Sequence, residues 1–231
     1  MKSSNCHISA RKGFTLVELL VVITIIIALA AVTFVMVTKM RKRADAAKQT
    51  SILHQVGPLM VMYSTEKNGF LPATVTTKEA GSIHWHQALH GLINSELPID
   101  KVKSNEYWTR YNPLIKNPLY KKPIGNLKLA PWCPGYGMNT KIVDNIKLFV
   151  DYSNGEWQAN RPIPLAAIGD TARTPLVSPA PDYHYGTIKD KDPNLEQFLI
   201  NKQFPILFVD GHVENMAPKD YVTRKLDLMP R

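Results

Sequence analysis

The sequence predicts an α+β protein in which a long N-terminal helix is laid on an antiparallel β-sheet. Three observations carry that expectation. An apolar run begins at Phe14 and holds no charge between Leu19 and Thr38; an amphipathic segment follows it directly; and near the C-terminus the stretch "FPILFVDGHVENM" pairs an apolar run with a turn and a second short run. Of the 231 residues, 45% are hydrophobic and 20% charged, an ordinary globular mixture that excludes wholesale disorder.

The helix comes first. A span of about 20 apolar residues, rising 1.5 Å each, covers the hydrocarbon core of a bilayer. Phe14 to Thr38 meets that length, so it reads as a spanning or signal helix. Beyond it, Ile52, Val56, Leu59, Met60 and Tyr63 recur at helical spacing among Lys48, Gln49, His54, Gln55 and Glu66, so the helix is expected to continue as an amphipathic half. Gly57-Pro58 predicts a kink, and Asn68-Gly69 a stop.

Residues 81–95 read as a second helix, with Trp85, Leu89, Leu92 and Ile93 on one side. Eleven prolines between Pro98 and Pro181 then favour loops and short strands. Strands are expected at Ile146 to Tyr152 and in "PLAAIGD" (164–170). The clearest β signal is the hairpin around Asp210-Gly211, read as a two-residue turn. Its first strand is apolar on both faces, which places it inside the sheet.

The formal net charge of +9 has local sources. Lys2, Arg11 and Lys12 stand before Phe14, and Lys39, Arg41, Lys42, Arg43 and Lys48 face a single acid, Asp45, across residues 39–48. The remainder is only mildly basic, so charge alone does not argue for nucleic acid. Cys6 and Cys133 are the two cysteines. If the basic tail is removed, neither an internal disulfide framework nor a cysteine-based metal site can form.

Glu18 is the residue that composition leaves unexplained, because an ionisable group within a span is costly and marks a functional site by default. Three processing outcomes fit the segment. A secretory signal peptide would use Ala28-Leu29-Ala30 as its cleavage site, but the apolar run continues past that cut and Glu18 would sit in the greasiest region. An uncleaved anchor explains the length and leaves Glu18 as a cost. In the third outcome, the stretch "KGFTLVELLVVI" resembles the start of the type IV pilins and type II secretion pseudopilins: a short basic leader, Gly, then Phe-Thr-Leu-(Val/Ile)-Glu-Leu-Leu and an apolar helix.

That resemblance implies a layout and a life cycle. Residues 1–13 would be the leader, 14–38 the membrane half of the helix, 39–68 its amphipathic half, and 69–231 a globular extracytoplasmic α+β domain of pilin-like fold. Prepilin peptidase would cut between Gly13 and Phe14 and methylate the freed amine, with assembly through Glu18 alongside other pilin-like subunits. Cleavage supplies Glu18 with a partner, since an ammonium on Phe14 lies four residues away on the same helix face. In a filament Glu18 can neutralise a neighbouring subunit's amine instead, which sets axial register more than stability. The resemblance also implies a bacterial inner-membrane protein, single-pass, with its globular domain in the periplasm. The excess of Lys and Arg after the span points the other way under the positive-inside rule.

A weaker resemblance runs through "MYSTEKNGFLP", "HWHQAL", "WCPGYGMN", "AIGDT" and "ILFVDGHVE", which are similar to segments of many bacterial proteins with this leader. That group often carries a His, nine further residues and then Asp-Gly, and Ile200 stands at the position of that His here.

Other candidate chemistry is sparse. His86 and His90 are four apart on a helix, with His84 nearby, but no carboxylate lies between them in the zinc-protease pattern, so core or surface histidines are expected rather than a metal site. Asp190, Asp192, Asn194 and Glu196 alternate as in the start of a Ca2+ loop, without the Gly and the terminal acid such loops use; a solvated charged turn is the competing reading. Tyr107, Trp108, Arg110 and Tyr111 lie among lysines and could contact a glycan or a single-stranded nucleic acid, or pack under a proline-rich loop. This segment supports an alternative function, a membrane-anchored extracytoplasmic binding protein for a polymer. Asp210, His212 and Asp170 come with no nucleophile motif, so no catalytic residues and no enzyme are expected, and no cofactor beyond Ca2+.

Overall fold

The computed structural model describes residues 14–78, 81–94, 96, 115–120, 133–142, 164–182, 184–185, 188–190 and 193–226. The chain divides into two units, Met1–Arg43 and Ala44–Arg231. The architecture is α+β with a long N-terminal helix, α1, over Leu16–Glu66.

In the first unit every described side chain of α1 is exposed. Its threonines hide their hydroxyls by back-bonding within the helix: Thr24 to the Val21 carbonyl at 2.8 Å, Thr33 to Leu29 at 2.7 Å and Thr38 to Val35 at 2.9 Å. That leaves no hydroxyl seeking water along an apolar surface.

The second unit begins with the remainder of α1, where Gln49, Leu53, Val56, Gly57, Met60 and Ser64 are buried. Their spacing is that of one helix face. The helix ends as expected: Asn68 takes φ 54°, and the Gly69 N–H donates to the Ser64 carbonyl at 2.7 Å, the bond that closes a Schellman-type stop. α1 runs through Pro58 without interruption. Gly57 also has a packing reason, because a Cβ there would lie 3.3 Å from Leu207 Cδ1 and 3.4 Å from the Gly211 carbonyl.

A two-stranded hairpin follows, β1 (Val75–Lys78) with β2 (Gly81–His84), and then α2 (Trp85–Ile93). The expected second helix therefore starts four residues late. Gly81 to His84 pair with β1, and the helix begins where the Gln87 Oε1 accepts the His84 N–H at 2.9 Å.

The main sheet contains β3 (Tyr136–Asn139), β4 (Pro175–Pro179), β5 (His184–Tyr185), β6 (Phe204–Phe208) and β7 (Val213–Met216) in the order β5-β3-β4-β6-β7. Four strands are antiparallel, and two-residue β5 runs parallel to β3 at the edge. Short helices α3 (Pro193–Glu196) and α4 (Pro218–Thr223) complete the described elements.

β6 lies inside the sheet, as its two apolar faces require. Leu207 joins the core with Leu53, Val56 and Met60 of α1, Trp85 and Leu89 of α2, and Tyr136, Met138, Leu176 and Val177. Phe204, Ile206 and Phe208 join a second core with Ile188, Leu195, Phe198, Met216 and Tyr221. The hydroxyl of buried Tyr136 donates to the Gln49 carbonyl at 2.9 Å, tying helix to sheet.

Two expected features take another form. "PLAAIGD" is not a strand: Pro164 makes an isolated bridge with Phe70, and Leu165–Ala167 turn as a 3-10 helix with Ala166 and Ala167 exposed. The β6–β7 connection is longer than two residues. The Phe208 N–H donates to the His212 carbonyl at 2.9 Å and the Gly211 N–H to the Phe208 carbonyl at 3.0 Å, with Gly211 at φ 92°. This is a three-residue loop closed by a left-handed glycine. The strand expected at Ile146 to Tyr152 lies outside the described residues.

Candidate functional site

The head of α1 is the site that the sequence singles out. Gly13 lies outside the described residues; Phe14 is exposed, and the helix starts two residues later. Thr15 and Glu18 bind each other reciprocally. The Glu18 N–H donates to Thr15 Oγ1 at 3.2 Å, while Glu18 Oε2 accepts both the Thr15 N–H and the Thr15 hydroxyl at 2.8 Å each. This is a capping box, Thr-x-x-Glu, in which two backbone donors that a helix start leaves unpaired are satisfied by side chains.

The geometry gives Glu18 a local reason to be where it is. A carboxylate in the first turn faces the partial positive charge of the helix start, and here it also ends the backbone's unmet hydrogen-bonding demand. The signal was in the sequence as "TLVE", a Ser/Thr three residues before an acid at the head of an apolar run. Attention to the acid alone misses Thr15.

The remaining candidates are dispersed. Asp190 is exposed on a turn, Asn194 and Glu196 belong to α3, and Asp192 lies outside the described residues. Among the described residues no group of three His, Cys, Asp or Glu side chains is placed to hold a metal ion. Tyr107, Trp108, Arg110 and Tyr111 all lie outside the described residues.

His84 and His86 stack with ring centroids 5.7 Å apart, and Trp85 meets His86 edge-on. His86 is fully buried, which together with the neighbouring His84 and His90 holds its pKa well below the ordinary imidazole range. It is a neutral core residue at physiological pH. Cys133 is buried too, and burial pushes its thiol up to about 12, so it stays protonated and unreactive at neutral pH.

Asp210 and Asp170 are turn residues. Asp210 Oδ1 accepts the His212 N–H at 3.1 Å and contacts His212 Nδ1 at 2.6 Å, while the His212 ring stacks on Phe208 with centroids 4.3 Å apart. Asp170 Oδ1 accepts the Arg173 N–H at 3.1 Å. Both carboxylates are occupied in shaping backbone.

Comparison with known proteins finds one segment. Residues 8–34 match the family model of the prokaryotic N-terminal methylation motif, and they contain the Thr15–Glu18 box and most of the apolar half of α1. No curated protein and no solved structure matches the chain. Among the described residues α1 is long and apolar enough to cross a membrane. By this segment the chain carries the N-terminal methylation motif of prepilin-like proteins, the signal that a prepilin peptidase processes, at the head of an apolar helix suited to membrane anchoring.

Proposed function

We propose that this chain is a pseudopilin of a type II secretion or type IV pilus-like filament. Prepilin peptidase cuts after Gly13, methylates Phe14, and leaves a single-pass subunit in the bacterial inner membrane with its globular domain in the periplasm. The observation that carries this reading is the methylation-motif match over a helix whose start is organised by Thr15 and Glu18 and whose side chains from Leu16 to Thr38 are all exposed. A surface apolar on every side suits lipid first and a bundle of like helices afterwards.

The capping box refines how Glu18 would work. Before assembly the carboxylate is served within its own chain by Thr15. After cleavage the ammonium on Phe14 arrives one residue ahead of the cap, at the positive end of the helix dipole, where it needs an anion. One Glu18 oxygen accepts both Thr15 donors, so the other is free to take a cation from its own chain or from a neighbour.

Intact mass and N-terminal sequencing of the membrane-extracted protein test processing. A methylated Phe14 start is expected; a start at Ala31 would mean ordinary secretion, and a retained leader in a working assembly would sink the proposal. Glu18→Ala should abolish polymerisation while the periplasmic domain stays folded. Unimpaired filaments from that variant would overturn the assembly role.

A further inference from the structure

The apolar run of α1 ends in a basic collar that the reading above does not use. Lys39, Arg41, Lys42 and Arg43 follow Thr38 without leaving the helix, and all four side chains are exposed. At 100° per residue, Lys39, Lys42 and Arg43 stand at i, i+3 and i+4 and share one face, while Arg41 lies four residues before the sole nearby acid, Asp45. Among the described residues none of the four is in an ion pair.

Depth decides what such a collar meets. The uncharged stretch from Leu19 to Thr38, at 1.5 Å per residue, spans about 30 Å, the thickness of the hydrocarbon core. The residue after it therefore falls at the level of the lipid phosphates. Four cations held on one helix at that depth meet a layer of anions, and the one carboxylate near them, Asp45 at i+3 from Lys42 and i+4 from Arg41, cannot neutralise all four. Long Lys and Arg side chains reach into the head-group layer while their stems stay on apolar ground.

We infer that Lys39, Arg41, Lys42 and Arg43 form a binding surface for anionic phospholipid head groups on the side of the membrane where the globular domain emerges. The partner is a lipid phosphate presented by the bilayer rather than free phosphate. The collar thereby offsets the charge bias that otherwise disfavours placing these cations outside the cytoplasm. It also holds the subunit in the membrane until assembly supplies other partners. This inference rests on the membrane-anchor reading of α1.

The test reconstitutes the processed full-length chain into vesicles of equal phosphatidylglycerol and phosphatidylcholine, then measures the association of spin-labelled forms of each lipid with the protein. Phosphatidylglycerol should be preferred, at the order of about fivefold for each effective charge. The preference should vanish when Lys39, Arg41, Lys42 and Arg43 are all replaced by Gln. It should persist when the exposed Lys67, Lys116, Lys219 and Lys225 are replaced instead, a change of equal net charge. Circular dichroism of both variants checks that the helix content is kept. No preference in the wild type, a preference that survives the collar substitutions, or one that millimolar inorganic phosphate removes would each overturn the proposal. A chain that alkaline carbonate strips from the vesicles would overturn the anchor reading with it, whereas a chain that stays without lipid preference overturns the collar alone.

Discussion

The two halves of α1 share a backbone conformation and differ in every other respect. From Leu16 to Arg43 all side chains are exposed, whereas from Ala44 to Glu66 six positions at helical spacing are buried against a sheet. Up to Thr38 the first half has no polar face, and the second half has one. A helix that is apolar all round gains nothing from turning a side toward a core, so its stability must come from a uniformly apolar surrounding, lipid or other helices. A helix with one apolar stripe gets its stability from the domain that covers the stripe. The same secondary structure is thus held by two different solvents, and substitutions should separate them.

Leu53→Ala should have the largest effect on folding. Leu53 is fully buried among Val56, Met60 and the sheet, and truncating such a side chain costs about 2–5 kcal/mol through lost burial and a residual cavity. Ile23→Ala, the equivalent change in the first half, should leave the melting temperature of the globular domain unchanged and act only on membrane retention or assembly. Thermal denaturation of the two variants side by side checks this. An equal loss in both would erase the distinction between the halves.

Gly57→Leu comes next. The space above Gly57 is taken by Leu207 and the Gly211 carbonyl, so a larger side chain must push helix and hairpin apart, at about 1–3 kcal/mol for overpacking. Gly69→Ala makes a useful companion, because nothing lies within 4 Å of its Cβ and only its φ of 87° is strained. If Gly57 served only to kink the helix, Gly57→Leu would be no worse than Gly69→Ala.

Acid should weaken the second unit through His86. Its pKa is lowered from the ordinary 6.5 by burial first and by His84 and His90 second. In the unfolded chain the imidazole binds a proton as pH falls through 6.5, while in the folded chain it remains neutral, so the unfolded state binds more protons and stability falls. Stability is fully present above that pH and drains away below it, toward the lower folded value. Denaturant titrations across this range should show the decline, and His86→Leu should flatten it. A slope unchanged by that substitution would place the acid sensitivity elsewhere.

What the sequence could and could not reveal follows from where the information resides. The course of α1, its stop at Asn68-Gly69 and the interior position of β6 were legible, because each depends on a pattern carried within its own few residues. β3 and β4 were not. "YGMN" and "PLVSP" are four and five residues long with Gly or Pro inside, and they are strands because β4 finds β3 on one side and β6 on the other. Asn139 Nδ2 also donates to the Pro175 carbonyl at 2.8 Å, a contact across 36 residues that no local window contains. The error at Gly81–His84 has the same origin, since those residues join β1 rather than the helix that their apolar spacing extends. At the candidate site, the acid was visible from its cost in an apolar run. Its partner Thr15 was visible only as a capping signal, which an account centred on the membrane passes over.

The smallest effect should come from Glu214 and Arg224, whose carboxylate and guanidinium meet at 2.8 Å. Both side chains are well exposed, water screens their attraction, and holding two long side chains together offsets much of the gain, so Arg224→Gln should cost under about 1 kcal/mol and less in high salt. The contrast with Glu18 sharpens the comparison of the two halves. In bulk water a carboxylate needs no partner, and losing one is a minor event. In an apolar surrounding the same group must be served by Thr15 or a cation at every stage, so Glu18→Gln should stop assembly while leaving the domain's melting curve in place. If both substitutions proved equally mild, the first half of α1 would not be working in an apolar medium at all.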